Sequence, residues 1–153
     1  MFICTTIVLA VSGIIEYSQS KARMSRNLED FSENTGMRLS KSLIAPLWDV
    51  DADQIVAAID SEMIDKSIYA IVIKDKEGQK IVRAKQRDES GQPQDITQDV
   101  TGDFIQTSQN ITKGDNRIGV VNIYLTKKYM QEELGASIRK ILVTFIVLNL
   151  FIG

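Results

Sequence analysis

The chain has 153 residues and a formal net charge of −2 at pH 7, with one cysteine and no histidine. The near balance of charge provides no basic field for nucleic acid, and a single cysteine excludes an internal disulfide. Without histidine, the chain has no histidine-based acid–base catalysis, no histidine metal ligand and no phospho-accepting histidine. The length suits one domain with a modest core.

Both ends of the chain are apolar and uncharged. Residues 2–15 read FICTTIVLAVSGII and residues 141–153 read ILVTFIVLNLFIG. Each run is shorter than the roughly 20 residues that cross a bilayer. We therefore expect parts of transmembrane helices at residues 1–17 and 138–153, with one domain at residues 18–137 between them. A secretory signal peptide is a weaker alternative for the first run, because no basic segment precedes it and no cleavage site follows.

The side of the membrane on which the domain lies is left open by the charges. Lys21, Arg23, Arg139 and Lys140 lie on the domain side of the two runs, which alone favours a cytoplasmic domain. A segment this long crosses a membrane largely regardless of its charges, so this indication has little weight.

Residues 16–47 show helical periodicity. Five apolar residues and one threonine recur at three- and four-residue spacing, and most charged residues lie on the other faces of the helix. A stripe this narrow favours one partner helix over a broad core, which predicts a homodimer. Pro46 predicts the end of the helix or a kink. The stripe consists of Met24, Leu28, Phe31, Thr35, Leu39 and Leu43.

Three aspartates alternate in Asp49-Val50-Asp51-Ala52-Asp53, which raises the question of a calcium loop. A loop of the EF-hand type requires glycine at its sixth position and a bidentate glutamate at its twelfth. Counted from Asp49, these positions hold Gln54 and Asp60. The calcium interpretation therefore fails.

The same stretch fits the start of a second helix after a corner. Asp51 is predicted as the N-cap, with Gln54 completing a capping box three residues later. Val50 is expected to pack against Ile55 as a hydrophobic staple, and Trp48 to pack the corner.

Two β-hairpins are predicted after this helix, separated by a polar loop at residues 87–103. The run 68–74 is apolar and β-branched on both faces, which is typical of a covered central strand. Glycine-containing turns at 75–78 and 113–116 join the paired strands. A helix is predicted again from residue 127. The four strands are expected at residues 68–74, 79–85, 104–112 and 117–126.

The order of elements and three segments resemble the extracytoplasmic PAS-like sensor domains known as Cache domains. The likeness is carried by the corner PLWD, the strand and turn AIVIKDKEG, and the last strand IGVVNIYLTKKYM. Such domains occur in bacterial sensor histidine kinases, chemoreceptors and diguanylate cyclases. The resemblance covers nearly the whole chain through structural motifs, so it implies a role and no particular ligand.

The resemblance implies an α+β fold, with an antiparallel sheet of about four strands on the long N-terminal helix and transmembrane helices on both sides. The far face of the sheet and the long loop would form a small pocket. In a homodimer the long helices would carry a ligand-driven shift into the membrane. The output domain would follow residue 153, so the chain itself is expected to have no catalytic activity and no cofactor.

Five residues are candidate ligand contacts, and each has a structural alternative. Trp48 is a core anchor more often than a ligand platform. Arg83 and Lys85 share a strand face and are suited to a carboxylate ligand, or else they are charges that protect a sheet edge. Tyr69 and Tyr124 line a pocket if their strands are neighbours, or else they are packed sheet residues.

The function predicted from the sequence is signal sensing in the periplasm by a domain of a bacterial inner-membrane receptor, with a sensor histidine kinase of a two-component system as the expected receptor. The alternative is a membrane-tethered structural or protein-interaction module with no small-molecule ligand. Convergence of Tyr69, Arg83, Lys85 and Tyr124 near the long loop would favour a ligand, whereas a filled sheet would favour protein contact. The acidic residues form no spaced pair beside a nucleophile, so an enzyme is a distant third.

Overall fold

A computed structural model describes residues 2–128 and the positions 135, 139, 143 and 147, with the backbone alone for residues 2–10. The chain divides into two compact units, one of residues 1–27 and 128–153 and the other of Leu28–Lys127. Among the described residues, no helix is both long enough and apolar enough to cross a membrane. Most of the predicted span at 138–153 lies outside the described residues, as do the side chains of residues 1–10 in the other predicted span.

Three helices precede the sheet. Helix α1 spans Phe2–Ser42, α2 spans Ile44–Trp48 and α3 spans Ala52–Glu62. The predicted helix at 16–47 is therefore divided at Leu43. The break follows from Pro46, which has no N–H to donate to the carbonyl of Ser42 and whose ring clashes with that carbonyl.

The predicted N-cap of α3 is confirmed, but the predicted capping box is not completed, because the N–H of Asp51 donates to the carbonyl of Pro46 and not to the Gln54 side chain. The backbone N–H of Gln54 donates to Asp51 Oδ1 at 3.1 Å, and Gln54 Nε2 donates to Asp51 Oδ2 at 2.8 Å. The expected staple is wrong, because the Val50 side chain is 83% exposed while Ile55 is buried. Val50 has a φ of 58°, and this left-handed conformation turns its side chain away from the helix that follows.

Relief of the strain at Val50 should stabilise the protein. The N–H of Asp51 donates to the carbonyl of Pro46 at 2.8 Å, so Val50 occupies the left-handed position that follows a helix, where glycine is preferred. A left-handed conformation costs an L-residue about 1–2 kcal/mol, and glycine removes this cost. Glycine also raises the conformational entropy of the unfolded chain, which cancels part of the gain in stability. We expect Val50→Gly to raise the free energy of unfolding by about 1 kcal/mol in urea titrations. Val50→Ala keeps the Cβ and should gain less; equal gains would contradict the strain.

The sheet has five antiparallel strands in the order β3-β2-β1-β5-β4. Four of them match the predicted hairpins, with Gly78 and Gly114 at positive φ in the turns. The fifth, β3, lies inside the segment predicted as a loop; its three exposed residues include a proline, so it carries no strand signal. The strands span Ile68–Lys74 (β1), Ile81–Arg87 (β2), Pro93–Asp95 (β3), Ile105–Lys113 (β4) and Asn116–Leu125 (β5).

The helices cover one face of the sheet and build the main core there. Helix α1 contributes Leu39, the junction after it contributes Leu43, and α3 with its C-cap contributes Ile55, Ile59 and Met63. The sheet side of this core consists of Ile68, Ile71, Ile73, Ile111, Val121, Ile123 and Leu125. The predicted sheet packed on a long N-terminal helix is therefore confirmed, with five strands in place of four.

The stripe on α1 packs differently from the prediction. Thr35, Leu39 and Leu43 are buried, and Leu28 and Phe31 are half-buried against the same core. The chain's own sheet, and not a partner helix, covers this part of the stripe. The reason is that small residues beside the stripe are buried as well: Ser32, Gly36 and Ser40. They are not apolar enough to show in the periodicity, yet they widen the narrow stripe into a face that fits a sheet. Met24 is half-buried.

Candidate functional site

The far face of the sheet, opposite the helices, carries an aromatic cluster. β1 and β5 are neighbours, and Ala70 lies opposite Tyr124 in their register. The ring of Phe104 stacks on Tyr69 with centroids 4.4 Å apart, and it meets Tyr124 edge-on at 6.3 Å. The two predicted tyrosines therefore do lie together, and Phe104 connects them.

The segment 96–104, which we call the strap, closes this face. Ile96, Val100 and Phe104 pack against a floor of Ala70, Val72, Ala84 and Tyr124. The N–H of Ile96 donates to the carbonyl of Ala84 at 3.0 Å, which fixes the start of the strap on β2. Small floor residues let the strap approach the sheet closely, so its own side chains fill the space in which a pocket was predicted.

Polar groups line the part of the far face beside the aromatic rings. Lys74 Nζ lies 2.8 Å from Asp99 Oδ1 and 2.9 Å from Asp99 Oδ2, and the lysine side chain is only 14% exposed. Ser108 Oγ donates to Asn122 Oδ1 at 2.6 Å, and Asn122 is buried. Since Asp99 belongs to the strap and Lys74 to the sheet, this ion pair holds the strap down.

The hydroxyl of Tyr124 belongs to the same polar region. Burial raises the pKa of Tyr124 above its ordinary value of 10.0, and the carboxylate of Asp99 adds to the rise. Lys74 and a hydrogen bond with Asn122 act in the opposite direction. The neutral phenol is therefore the favoured form at the site, where it can donate or accept a hydrogen bond.

Alkaline pH should destabilise the protein through this group. Because the folded pKa lies above the unfolded one, the stabilisation is complete below pH 10 and is lost as the pH rises through the folded value. In urea titrations from about pH 8 to pH 11, we expect Tyr124→Phe to lose less stability than the wild type over this range. Tyr17→Phe, at an exposed tyrosine, is the control and should follow the wild type. Parallel curves for all three proteins would contradict the assignment.

Arg83 and Lys85 do not join this cluster. In the register of β1 and β2 they lie opposite Ile73 and Ile71, which face the helices. Lys85 Nζ is 2.6 Å from Asp60 Oδ1 on α3, so its charge ties a helix to the sheet. The convergence of these cations with the tyrosines, which would have favoured a ligand, is therefore not found, because the two pairs lie on opposite faces of the sheet.

Trp48 is not the expected corner anchor. Its side chain is 54% exposed, and Lys113 Nζ lies 3.7 Å from its ring centroid as a cation–π contact. The neighbouring Leu47 fills the corner instead, against the core and beside Gly119. Because Trp48 ends α2, it lies on the helix side of the sheet, away from the aromatic cluster.

Four residues of the far-face site were not predicted from the sequence: Lys74, Asp99, Phe104 and Asn122. Alternation along β1 offered a signal for Lys74, which shares a face with Ala70 and Val72. Asn122 offered another, as a polar residue inside the buried strand β5. No local pattern identifies Asp99 and Phe104, since only the path of the strap brings them to the sheet.

Comparisons with known proteins bear on the fold. No protein-family model and no curated protein matches the chain. Its structure is similar to a crystal structure of "the extracellular domain of the putative histidine kinase vpHK1S-Z8", with a TM-score of 0.62 and 13% sequence identity. The match covers 86% of this chain and 63% of that one. The chain thus shares its α+β fold with that domain, and at this identity the likeness concerns the fold alone.

Proposed function

We propose that this chain is the extracytoplasmic sensing domain of a bacterial membrane receptor of the Cache type, with a histidine kinase as its output. The observation that carries the proposal is the fold shared with the extracellular domain described above. The apolar runs at both ends of the sequence support membrane attachment on either side of the domain. The receptor works as a homodimer, and a shift in the sheet passes along α1 toward the membrane.

The proposed sensing site is the far-face cluster under the strap. Lys74, Asn122 and Tyr124 offer an ammonium, an amide and a neutral phenol within one half-buried region, and Tyr69 and Phe104 add aromatic surface. Such a set suits a small polar molecule with an anionic group, since a shielded ammonium holds an anion strongly. Binding would require Asp99 to release Lys74, which couples occupancy to the position of the strap.

A chimera tests the sensing role. Residues 1–153 are joined to the cytoplasmic part of a histidine kinase whose output drives a reporter gene. We expect Lys74→Met and Tyr124→Phe to change the reporter level in cells at unchanged protein abundance. Glu77→Gln, at an exposed turn residue, is the matched control and should leave the output unchanged. Identical outputs from all variants would overturn the proposed site.

The location is tested separately. In a Cys4→Ser background, Glu77→Cys supplies one thiol on the turn between β1 and β2. We expect a membrane-impermeant maleimide to label this thiol in intact cells. Labelling only after lysis would place the domain in the cytoplasm and refute the extracytoplasmic assignment.

A protein-interaction module without a small-molecule ligand is the second candidate, and the filled far face favours it. Phe104 and Val100 occupy the space between strap and floor. Native mass spectrometry after gentle release from detergent separates the two functions. A dimer with a reproducible extra mass that Lys74→Met abolishes supports the ligand sensor, whereas a dimer with no added mass supports the interaction module.

A further inference from the structure

The two edges of the sheet differ in a way that the proposed function does not explain. One edge is β3, which has three residues, begins with Pro93 and ends with Asp95. A short strand, a proline and a charge are devices that prevent another strand from adding to an edge. The other edge is β4, which has nine residues and contains none of these devices except Lys113 at its end.

The free side of β4 is a row of backbone donors and acceptors that is regular from Ile105 to Ile111, before an irregularity in the pairing between Ile111 and Thr112. β4 pairs with β5 from Ile105 to Lys113, and within the described residues it has no partner strand on its other side. Alternate residues of such an edge direct both N–H and C=O outward. Its exposed side chains on the far face are uncharged: Gln106, Ser108 and Asn110.

Helix α1 supports β4 from the other face. Ser32 Oγ donates to Thr107 Oγ1 at 2.7 Å, and a Cβ on Gly36 would lie 2.9 Å from Gln109 Cγ. The two contacts advance in the same direction along the helix and the strand. The helix therefore lies on the face of β4 and holds it straight, while the edge itself lies in the plane of the sheet.

We propose that the β4 edge binds an extended segment of a second protein, which adds to the sheet as a sixth strand. This mode takes its affinity from main-chain hydrogen bonds and its specificity from alternate side chains. The fitting segment has about seven to nine residues in β conformation, with polar side chains beside Gln106, Ser108 and Asn110.

A second copy of the chain fits the edge less well, on the basis of the proposed function. Antiparallel pairing of two β4 strands creates a twofold axis perpendicular to the sheet. That axis would direct the two α1 helices in opposite directions, whereas two chains attached to one membrane need them to run the same way.

The test uses the full chain in detergent micelles and two synthetic peptides, Thr-Val-Glu-Val-Glu-Val-Thr and its analogue with lysine at both glutamate positions. Hydrogen exchange followed residue by residue by NMR should show new protection at alternate amides of β4 when either peptide is added. Gln106→Lys/Asn110→Lys changes two exposed side chains and should favour the glutamate peptide over the lysine peptide by about threefold or more, because opposite charges then face each other across the strands.

Gln94→Lys on β3 is the matched control and should leave the preference between the peptides as it is in the wild type. Three results would overturn the proposal. The first is no change in β4 exchange at millimolar peptide, and the second is protection or charge preference that follows β3. The third is protection of alternate β4 amides that is present without peptide and is lost on dilution, which would show that a second copy pairs with β4. The first two results do not depend on the sensing site and leave the proposed function standing, whereas the third would also contradict the parallel α1 helices of that function.

Discussion

Gly119→Ala should lower the free energy of unfolding by about 2–3 kcal/mol, the upper range for overpacking of a core. Gly119 lies buried in β5 where α2 packs on the sheet. A Cβ there would be 2.6 Å from Leu47 Cδ2 and 2.9 Å from the carbonyl oxygen of Lys74. The leucine can change rotamer, but the carbonyl belongs to the backbone of the central strand β1 and cannot move without distorting the sheet.

Gly36→Ala provides the matched control for this loss. Its Cβ would also meet a close neighbour, 2.9 Å away, but that neighbour is Gln109 Cγ in a flexible side chain on the edge strand. Alanine in a helix interior gains about 0.5–1 kcal/mol over glycine, which offsets the contact. We expect a net change within about 1 kcal/mol in urea titration. Equal losses from both substitutions would show that the backbone contact at Gly119 is not the cause.

Arg87→Ala should be the most damaging change of a charged residue, with a loss of about 3 kcal/mol. Among the described residues, the guanidinium of Arg87 has no carboxylate partner and binds four backbone carbonyls instead. Nε donates to Ile68 O at 2.8 Å, Nη1 to Gly91 O at 2.9 Å, and Nη2 to Asp65 O at 2.9 Å and to Met63 O. One side chain thus joins the end of α3, the start of β1 and the turn after β2.

Arg83→Ala is the control for Arg87, on the same strand and four residues earlier. Arg83 forms no hydrogen bond or ion pair with another described residue, so its removal should change stability by less than about 1 kcal/mol. Arg87→Lys should remain clearly destabilised, because an ammonium cannot reproduce the planar fork that reaches four carbonyls. The stabilities of Arg83→Ala, Arg87→Ala and Arg87→Lys are measured by thermal unfolding in detergent. A lysine variant as stable as the wild type would show that charge alone, and not the hydrogen-bonding geometry, matters at Arg87.

Local chemistry accounts for the elements that sequence analysis located correctly. The Asp51 side chain satisfies the N–H of Gln54 in the first turn of α3, Pro46 ends the helix that precedes it, and Gly78 supplies the positive φ that its turn needs. These effects act over a few residues, so their outcome is independent of the rest of the fold. The same holds for the apolar, β-branched run that forms β1.

The candidate site was only half predictable. Tyr69 and Tyr124 were identified, yet strict alternation would place Tyr69 on the face opposite to Ala70. An irregularity in the pairing between Ile68 and Ala70 shifts the register, and both Tyr69 and Ala70 then belong to the far-face cluster. Because a bulge depends on how two strands fit together, the sequence of one strand does not reveal it.

The sequence by itself determined the helix cap, the two hairpins and the long N-terminal helix, since each depends on periodicity or on residues close together in the chain, whereas the α+β class with the sheet on that helix was expected from the family resemblance. Only the tertiary structure decided which surface covers the α1 stripe, which of Leu47 and Trp48 fills the corner, and where the strap lies. Each of these outcomes depends on which of several side chains, distant from one another in the sequence, packs into a given position. The strap covers the far face because Ala70, Val72 and Ala84 leave room for Phe104 there, and because the ion pair with Lys74 holds Asp99 in place.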